Sequence, residues 1–350
     1  MSDVLRIADV AVGPEEPPFV IAEMSANHNG DLGRALAIVD AVADTGAHAL
    51  KLQTYTPETI TIDVDNEHFR VSEGHDLWGG RTLYDLYTEA HTPWAWHEPI
   101  FERARERGLA AFSAPFDPTA VTFLEDLDVP AYKVASAEIV DLPLVRAMAV
   151  TGKPVIISTG MANLAEIHAA VAAARGTGNE QIVVLSCTAS YPAPPGESNL
   201  RAIPLLRDLL GTQIGLSDHT TGIGAAVAAV ALGATVIEKH VTLSRSEGGV
   251  DSAFSLEPNE LSQLVRETGT AQAALGAPRV GPSAAEGEVL RLRRSLYVVE
   301  DVKAGDPVTT DNVRSIRPTG GLPPDLFDSV SGRIFRADVP RGTPLSWDVI

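Results

Sequence analysis

The chain has 350 residues, a net charge of −19 and one cysteine, and 45% of its residues are hydrophobic. That charge argues against nucleic acid or an anionic membrane as a partner, and the single Cys187 excludes an internal disulfide. Because the start lacks a signal-peptide pattern and no apolar run is long enough to span a bilayer, we expect a cytoplasmic protein.

Short apolar segments rich in β-branched residues alternate with Ala-rich segments of helical period. Eight apolar segments predict strands, at 19–23, 48–53, 109–114, 130–135, 154–158, 181–187, 213–217 and 235–240. Helices are predicted at segments that include 32–46, 163–176, 222–233 and 258–275, and an extended loop is predicted at 54–92. Near-continuous apolar strands between helices indicate a parallel sheet covered on both faces, and eight such units match a (β/α)8 TIM barrel of the α/β class. A doubly wound open sheet is the structural alternative.

The sequence changes character after the helix predicted at 258–275. A connection that contains Gly and Pro leads into short strand-like runs from about residue 290, without a long helical period. Two turns there, VKAGDPV and VPRGTPL, form a weak internal repeat. We predict a barrel domain at 1–280 and, at 281–350, a linker followed by a small β-rich domain.

Two histidines, His219 and His240, stand at the ends of the seventh and eighth predicted strands. Chemistry in such barrels gathers at the C-terminal ends of the strands, and neighbouring strand ends can bring two imidazoles to one point. Two neutral imidazoles with oxygen ligands suit a divalent ion such as Mn, Co or Zn. A third obvious His or Cys ligand is missing, which argues against a closed structural zinc site. The alternative is that each is a hydrogen-bonded histidine at the barrel rim.

Lysine is scarce, with five among 27 basic residues, yet Lys51 and Lys133 lie inside apolar predicted strands. A buried lysine is costly unless it is paired or lies beside an anion, so both suit a bound phosphate or carboxylate. A Schiff-base lysine is the rival hypothesis, which a metal at the histidines would make unnecessary. Lys239 alternates with His240 and is expected to point away from the site.

Other polar or aromatic features are less specific. In MSANHNG (24–30), Asn29 and Gly30 predict a turn, and Asn27 and His28 are candidate site-lining residues. The aromatic residues of the long loop are predicted to pack in the core and the loop; they are Trp78, Tyr84, Tyr87, Trp94 and Trp96.

Many motifs in order resemble the sialic acid synthase family, whose enzymes condense phosphoenolpyruvate with an N-acylated amino-sugar. They include IAEMSANHNGD, GAHALKLQTYTPETIT, FSAPFD, AYKVASAEI, GKPVIISTGMA, GLSDHT and ALGATVIEKHVT. The tail from RSLYVVEDVKAGDPV onward resembles the family's C-terminal SAF (antifreeze-like) domain. MSANHN, LWGGRTLYDLYTEAHTPWAWH and GGVDSAFSLEP most resemble the pseudaminic acid branch, and Ala114 and Ala189 depart from the N-acetylneuraminate enzymes.

The resemblance implies roles for individual residues. His219 and His240 would hold a divalent metal (Mn, Mg or Co), and Glu23 would act beside the reacting centre as the third catalytic residue. The phosphoenolpyruvate pocket would be lined by Lys51, Lys133, Ser136, Ser158 and Ser217. The sugar would contact Gln53, Glu138, Tyr191, Asp251 and, from the partner subunit of a domain-exchanged homodimer, Arg317.

The resemblance also implies the reaction, in which phosphoenolpyruvate and water add to an open-chain aldehyde sugar to give a nine-carbon 2-keto acid and phosphate by C–O cleavage. A deoxygenated diamino-sugar is the expected substrate. N-acetylneuraminate or legionaminate synthesis by the same mechanism is the alternative. A non-catalytic carbohydrate-binding protein and a metal-dependent aldolase acting on pyruvate are the more distant hypotheses.

Overall fold

A computed structural model describes residues 4–74 and 77–350. The chain forms two compact units, Met1–Gly276 and Ala277–Ile350. The predicted domain boundary, after residue 280, falls just beyond this division. No helix among the described residues is long and apolar enough to cross a membrane.

The first unit is a closed barrel of eight parallel strands, each paired with its two neighbours. The strands are β1 Phe19–Glu23, β2 Ala49–Thr54, β3 Ala110–Pro115, β4 Tyr132–Val134, β5 Val155–Ser158, β6 Ile182–Cys187, β7 Gln213–Asp218 and β8 Val236–His240. Closure comes from β8 pairing with β1, where His240 lies opposite Glu23. Both faces of the strands are buried, which is why they are apolar throughout. The predicted barrel is confirmed, and the open-sheet alternative is wrong.

Helices follow the strands and cover the barrel. They are α1 Leu32–Ala43, α2 Pro57–Ile60, α3 Leu83–Ala90, α4 His97–Glu106, α5 Pro118–Asp126, α6 Leu142–Ala149, α7 Leu164–Arg175, α8 Ala202–Leu210, α9 Gly224–Ala231 and α10 Pro258–Leu275. Their starts carry sequence signals: the Asp31 side chain accepts from the Arg34 amide, and Asn163 forms a capping box with Glu166.

Two parts of this unit differ from the sequence-based prediction. An antiparallel hairpin, Leu5–Ile7 with Val10–Val12, precedes the barrel, and its three-residue strands are too short to show a period. The segment 54–92 is not a simple loop, because it contains α2, α3 and an antiparallel bridge between Arg70 and Thr82.

The second unit has its own apolar core, which includes Leu296, Val298, Phe335 and Leu345. Its regular elements are β9 Ser295–Val298, β10 Val313–Ile316 and α11 Phe327–Val330, with β9 and β10 antiparallel. Val302 and Val339 form an antiparallel bridge, so the two turns of the weak internal repeat begin side by side.

Candidate active site

A cavity of about 430 Å³ opens where the barrel strands end. Its polar lining includes most of the predicted sugar-facing residues, one of the serines predicted to face phosphoenolpyruvate and one of the histidines: Gln53, Ser136, Glu138, Tyr191, His240 and Asp251. Two larger hollows, of about 560 and 570 Å³, lie elsewhere and contain none of the predicted site residues. Chemistry, not size, therefore identifies this cavity as the candidate site.

Two lysines and two glutamates meet at the barrel mouth, and all four are buried. Lys51 Nζ lies 2.5 Å from the Glu23 carboxylate and 3.7 Å from that of Glu238, and Lys133 Nζ lies 4.0 Å from Glu238. Lys133 also donates to Ser158 Oγ at 2.5 Å, and Ser217 Oγ donates to Glu238 at 3.1 Å. The cluster is electrically balanced, which is how two lysines are tolerated inside an apolar barrel.

The environment separates the pKa values within this cluster. Burial raises the pKa of Glu23 in spite of Lys51, whereas for Glu238 burial is outweighed by Lys133 and Lys51 and the pKa is lowered. Burial lowers the pKa of Lys133, while Glu23 and Glu238 outweigh burial at Lys51 and raise its pKa. Paired carboxylates with diverging pKa values are characteristic of catalytic centres, and Lys133 would gain most from a bound anion.

Glu238 is a site residue that the sequence-based assignment missed. It precedes His240 by two positions in VIEKH, and alternate residues of a strand share a face, so the period of two was the available signal. The intervening Lys239 faces the other side, where its Nζ lies 2.7 Å from Asp218. The prediction that Lys239 points away from the site is confirmed.

His219 and His240 lie side by side, with ring centroids 5.3 Å apart. His219 Nδ1 donates to the Thr188 carbonyl at 2.9 Å, which leaves the Nε2 lone pair free to accept or to ligate. His240 Nδ1 is buried without a hydrogen-bond partner, and burial lowers the pKa of this ring well below its usual range, so it is neutral. At His219 burial is outweighed by Cys187 and the Thr188 carbonyl, which raise the pKa of the ring, so the pair fits a divalent metal ion in the state in which His219 has lost its second proton.

The described residues contain no group of three or more His, Cys, Asp or Glu side chains placed to hold a metal. The two histidines would therefore bind an ion whose other positions are taken by substrate or water. Such an open site suits a catalytic metal better than a structural zinc. Cys187 Sγ lies 3.9 Å from His219 Nδ1, the nitrogen already bonded to Thr188.

Aromatic and acidic side chains form the rest of the cavity. The Tyr191 ring lies 4.4 Å from that of His219 and 5.9 Å from that of Trp78. Burial raises the pKa of Glu138 to about 7, and its Oε2 has no hydrogen-bond partner. Trp78 and Tyr87 make the ring contacts expected of loop packing and also line the cavity.

Some candidates lie elsewhere. Asn27 donates 2.8 Å hydrogen bonds to the Val241 carbonyl and Ser255, and His28 lies 3.3 Å from Thr92, so both hold loops together instead of lining the cavity. Arg317 belongs to the second unit and follows β10. In contrast, Ser25, which was not predicted, lines the cavity.

Comparisons with known proteins cover both units. The NeuB family model matches residues 38–279 and a SAF domain model matches 293–350. A pseudaminic acid synthase of Helicobacter pylori is 39% identical over 337 residues, 96% of this chain and 98% of that protein. An N,N'-diacetyllegionaminic acid synthase of Campylobacter jejuni is 34% identical over 320 residues, 90% of this chain and 95% of that protein.

A solved structure agrees with these sequence matches. The crystal structure of an N-acetylneuraminic acid synthetase from Leptospira borgpetersenii, in complex with citrate, is similar with a TM-score of 0.74 and 33% identity. The match covers 83% of this chain and 96% of that one. The predicted resemblance is confirmed: the chain belongs to the NeuB family and carries a C-terminal SAF domain.

Proposed function

We propose that this protein is an enzyme that condenses phosphoenolpyruvate with the open-chain aldehyde of 2,4-diacetamido-2,4,6-trideoxy-altrose and water, giving pseudaminic acid and phosphate. The observation that carries this proposal is the buried Lys51–Lys133 pair next to His219 and His240 at one barrel mouth. A barrel mouth with two lysines and a metal-competent histidine pair suits a doubly anionic substrate and a carbonyl. The identity to a pseudaminic acid synthase over nearly the whole chain supports the choice of product.

The phosphoenolpyruvate end of the site is assigned to the charged cluster. Lys51 and Lys133 would bind the carboxylate and phosphate, and Ser136, Ser158 and Ser217 would line the same end of the site. Because the protein carries a net charge of −19, these lysines supply local positive charge against an unfavourable overall field. The citrate in the complex of the Leptospira relative is, like phosphoenolpyruvate, a multiply charged anion, which is consistent with an anion site.

The carbonyl end is assigned to the histidine pair. His219 and His240 would hold a divalent ion such as Mn, Mg or Co, and when bound it would polarise the sugar aldehyde as a Lewis acid. The tautomer of His219 is set by its bond to Thr188, so Nε2 can face the ion. Tyr191, packed on His219, would keep bulk water from that side of the site.

Glu23 is assigned to the reacting centre. Carbon 3 of phosphoenolpyruvate bonds to the aldehyde carbon while positive charge develops at carbon 2, and the Glu23 carboxylate would stabilise that charge or orient the water that adds there. Water adds to carbon 2 and loses its protons, and the aldehyde oxygen takes up a proton to become a hydroxyl. The bond between carbon 2 and the phosphate oxygen then breaks, so that phosphate leaves and carbon 2 becomes a ketone. Lys51, 2.5 Å from Glu23, keeps the carboxylate in place.

The sugar pocket favours a deoxygenated substrate. Apolar side chains from the segment between the second and third strands line the cavity: Val71, Leu83, Leu86 and Ala90. Apolar walls suit the methyl groups of a 6-deoxy sugar and of acetamido substituents, while a hydroxyl there would lose hydrogen bonds to water. Gln53, Glu138, Tyr191 and Asp251 would provide the polar contacts.

The assembly is proposed to be a domain-exchanged homodimer in which Arg317 of one copy completes the sugar site of the other. This rests on the family resemblance, since Arg317 is the predicted site residue that lies outside the barrel unit. A cytoplasmic location is proposed because the single free cysteine suits a reducing compartment. No nucleic-acid or membrane partner is proposed.

Phosphate release from phosphoenolpyruvate with Mn tests the function across three sugars: the altrose-configured compound, its mannose-configured isomer and N-acetylmannosamine. Release with the altrose compound alone is the expected result. Phosphate release with another sugar would support the same mechanism and would assign legionaminate or N-acetylneuraminate synthesis instead. The matched control is the same assay with a chelator. If no phosphate is released with any of the three sugars in the presence of metal, the enzymatic function is refuted.

A further inference from the structure

Ser25 adopts a backbone conformation that serine rarely takes. It lies two residues after the end of β1, is buried, and has φ of +47°, in the left-handed region where residues with a Cβ are disfavoured. Glycine would occupy this position without steric cost. A strained serine persists only where its surroundings hold it, and such positions cluster at functional sites.

The side chain of Ser25 accounts for its presence. Its hydroxyl donates to Asp251 Oδ2 and accepts a 3.1 Å hydrogen bond from Gln53 Nε2. Gln53 Nε2 also donates to Glu23 Oε1 at 3.1 Å. A continuous chain of hydrogen bonds therefore runs from Glu23 through Gln53 and Ser25 to Asp251. It joins the proposed reacting centre to the proposed sugar contacts.

This chain of bonds fixes what Gln53 can offer a ligand. An amide nitrogen has two hydrogens, and here one is used on Glu23 and the other on Ser25. Only the carbonyl oxygen of Gln53 is then available to the cavity that the residue lines. The Asp251 carboxylate is an acceptor as well, so this wall presents acceptors and recognises N–H or O–H groups of the ligand.

The loop that carries Asp251 is docked closely against the turn that carries Ser25. Asn29 Nδ2 donates to the Gly248 carbonyl at 3.2 Å, and a Cβ at Gly249 would clash with Asn29 Oδ1. The left-handed turn at Ser25 is what directs its hydroxyl toward this loop. Glycine would permit the same backbone but would leave Asp251 and Gln53 without their shared partner.

We propose that Ser25 is a positioning residue for sugar recognition, which fixes the Gln53 amide orientation and the Asp251 carboxylate and so sets the acceptor wall of the pocket. The inference rests on the proposed function for the identity of the sugar. Ser25 acts through its neighbours, so its loss should weaken the sugar contacts and leave phosphoenolpyruvate binding nearly unchanged.

The test compares Ser25→Ala, which keeps the backbone strain and removes the hydroxyl, with Ser25→Gly, which removes both. Ala8→Gly is the matched control, because Ala8 has φ of +50° in the exposed turn of the N-terminal hairpin, with no site contact. We expect both Ser25 variants to raise the sugar KM by about tenfold or more, the scale of one hydrogen bond to a charged group, with little change in the phosphoenolpyruvate KM. Ser25→Gly should have a higher melting temperature than Ser25→Ala, because glycine relieves the left-handed strain that alanine keeps, and Ala8→Gly should match or exceed the wild-type melting temperature with unchanged kinetics.

A purely structural serine would give the opposite pattern. If both Ser25 variants keep the wild-type sugar KM, or if activity falls only together with the melting temperature, the proposal is wrong. A crystal structure of Ser25→Ala supplies a readout that does not depend on activity: the Gln53 amide and Asp251 should change orientation, and unchanged side chains would overturn the inference. A wild-type protein that turns over none of the three sugars would refute the proposed function, while this structural comparison would still decide the role of Ser25.

Discussion

Replacing Glu238 with glutamine perturbs the central charge balance of the site. Its carboxylate lies 3.7 Å from Lys51 Nζ and 4.0 Å from Lys133 Nζ, in a buried cluster. At an effective dielectric constant of about 20, each contact corresponds to roughly 4 kcal/mol before the cost of removing the charges from water. Breaking a buried pair costs about 3–5 kcal/mol net, so we expect the free energy of unfolding of the ligand-free Glu238→Gln protein to fall by about that amount.

Phosphoenolpyruvate should reverse part of this loss, because its carboxylate and phosphate supply the missing negative charge to Lys51 and Lys133. Unfolding by heat or urea, with and without phosphoenolpyruvate at fixed metal concentration, measures the effect. The ligand should stabilise Glu238→Gln more than the wild type, and tenfold tighter binding would add about 1.4 kcal/mol at saturating ligand.

The control for this experiment is Asp218→Asn, which breaks the buried 2.7 Å pair with Lys239 on the outer side of the barrel strands. It should lower stability and leave the response to phosphoenolpyruvate unchanged. A Glu238→Gln protein as stable as the wild type without ligand would refute the countercharge argument. A smaller response to phosphoenolpyruvate than the wild type shows would refute it as well.

Three further outcomes are expected. His219→Ala or His240→Ala should abolish phosphate release while the circular dichroism spectrum stays native, and full activity of either variant without added metal would contradict the metal assignment. Co-expressed Arg317→Ala and His219→Ala chains should recover about a quarter of wild-type activity if sites are shared between subunits, because half the dimers are mixed and each has one intact site; activity no greater than that of the two variants alone would argue against a shared site. Since burial raises the pKa of Glu138 to about 7, its contribution to stability is present below its unfolded pKa and is lost as pH rises through about 7. Glu138→Gln should therefore gain in melting temperature relative to the wild type between pH 5 and pH 8, and parallel pH profiles of the two proteins would disprove this.

The strands and the positions of their ends could be predicted from the local pattern of apolar and polar residues. The eight predicted strands lie within about two residues of the observed ones, because a strand buried on both faces must be apolar along its length and stop at polar residues. The proximity of His219 and His240 followed from the barrel itself, in which the seventh and eighth strands are neighbours. Lys51 and Lys133 were identified by the cost of burying an amine in an apolar segment.

Contacts between side chains that are distant in the sequence could not be predicted from local pattern. Glu238 lies on β8 and Lys133 on β4, so their proximity arises only when the barrel closes and brings opposite strands to one mouth. Ser25 resembles an ordinary turn residue in MSANHNG, and its strained backbone and its bonds to Gln53 and Asp251 exist only once two loops dock. The sequence by itself determined the barrel, the histidine pair and the two buried lysines, since burial and strand period are local properties. Only the tertiary structure decided that Glu238 balances the charge of the lysines and that hydrogen bonds link Glu23 to Asp251. Both features join side chains that only the closed fold brings together.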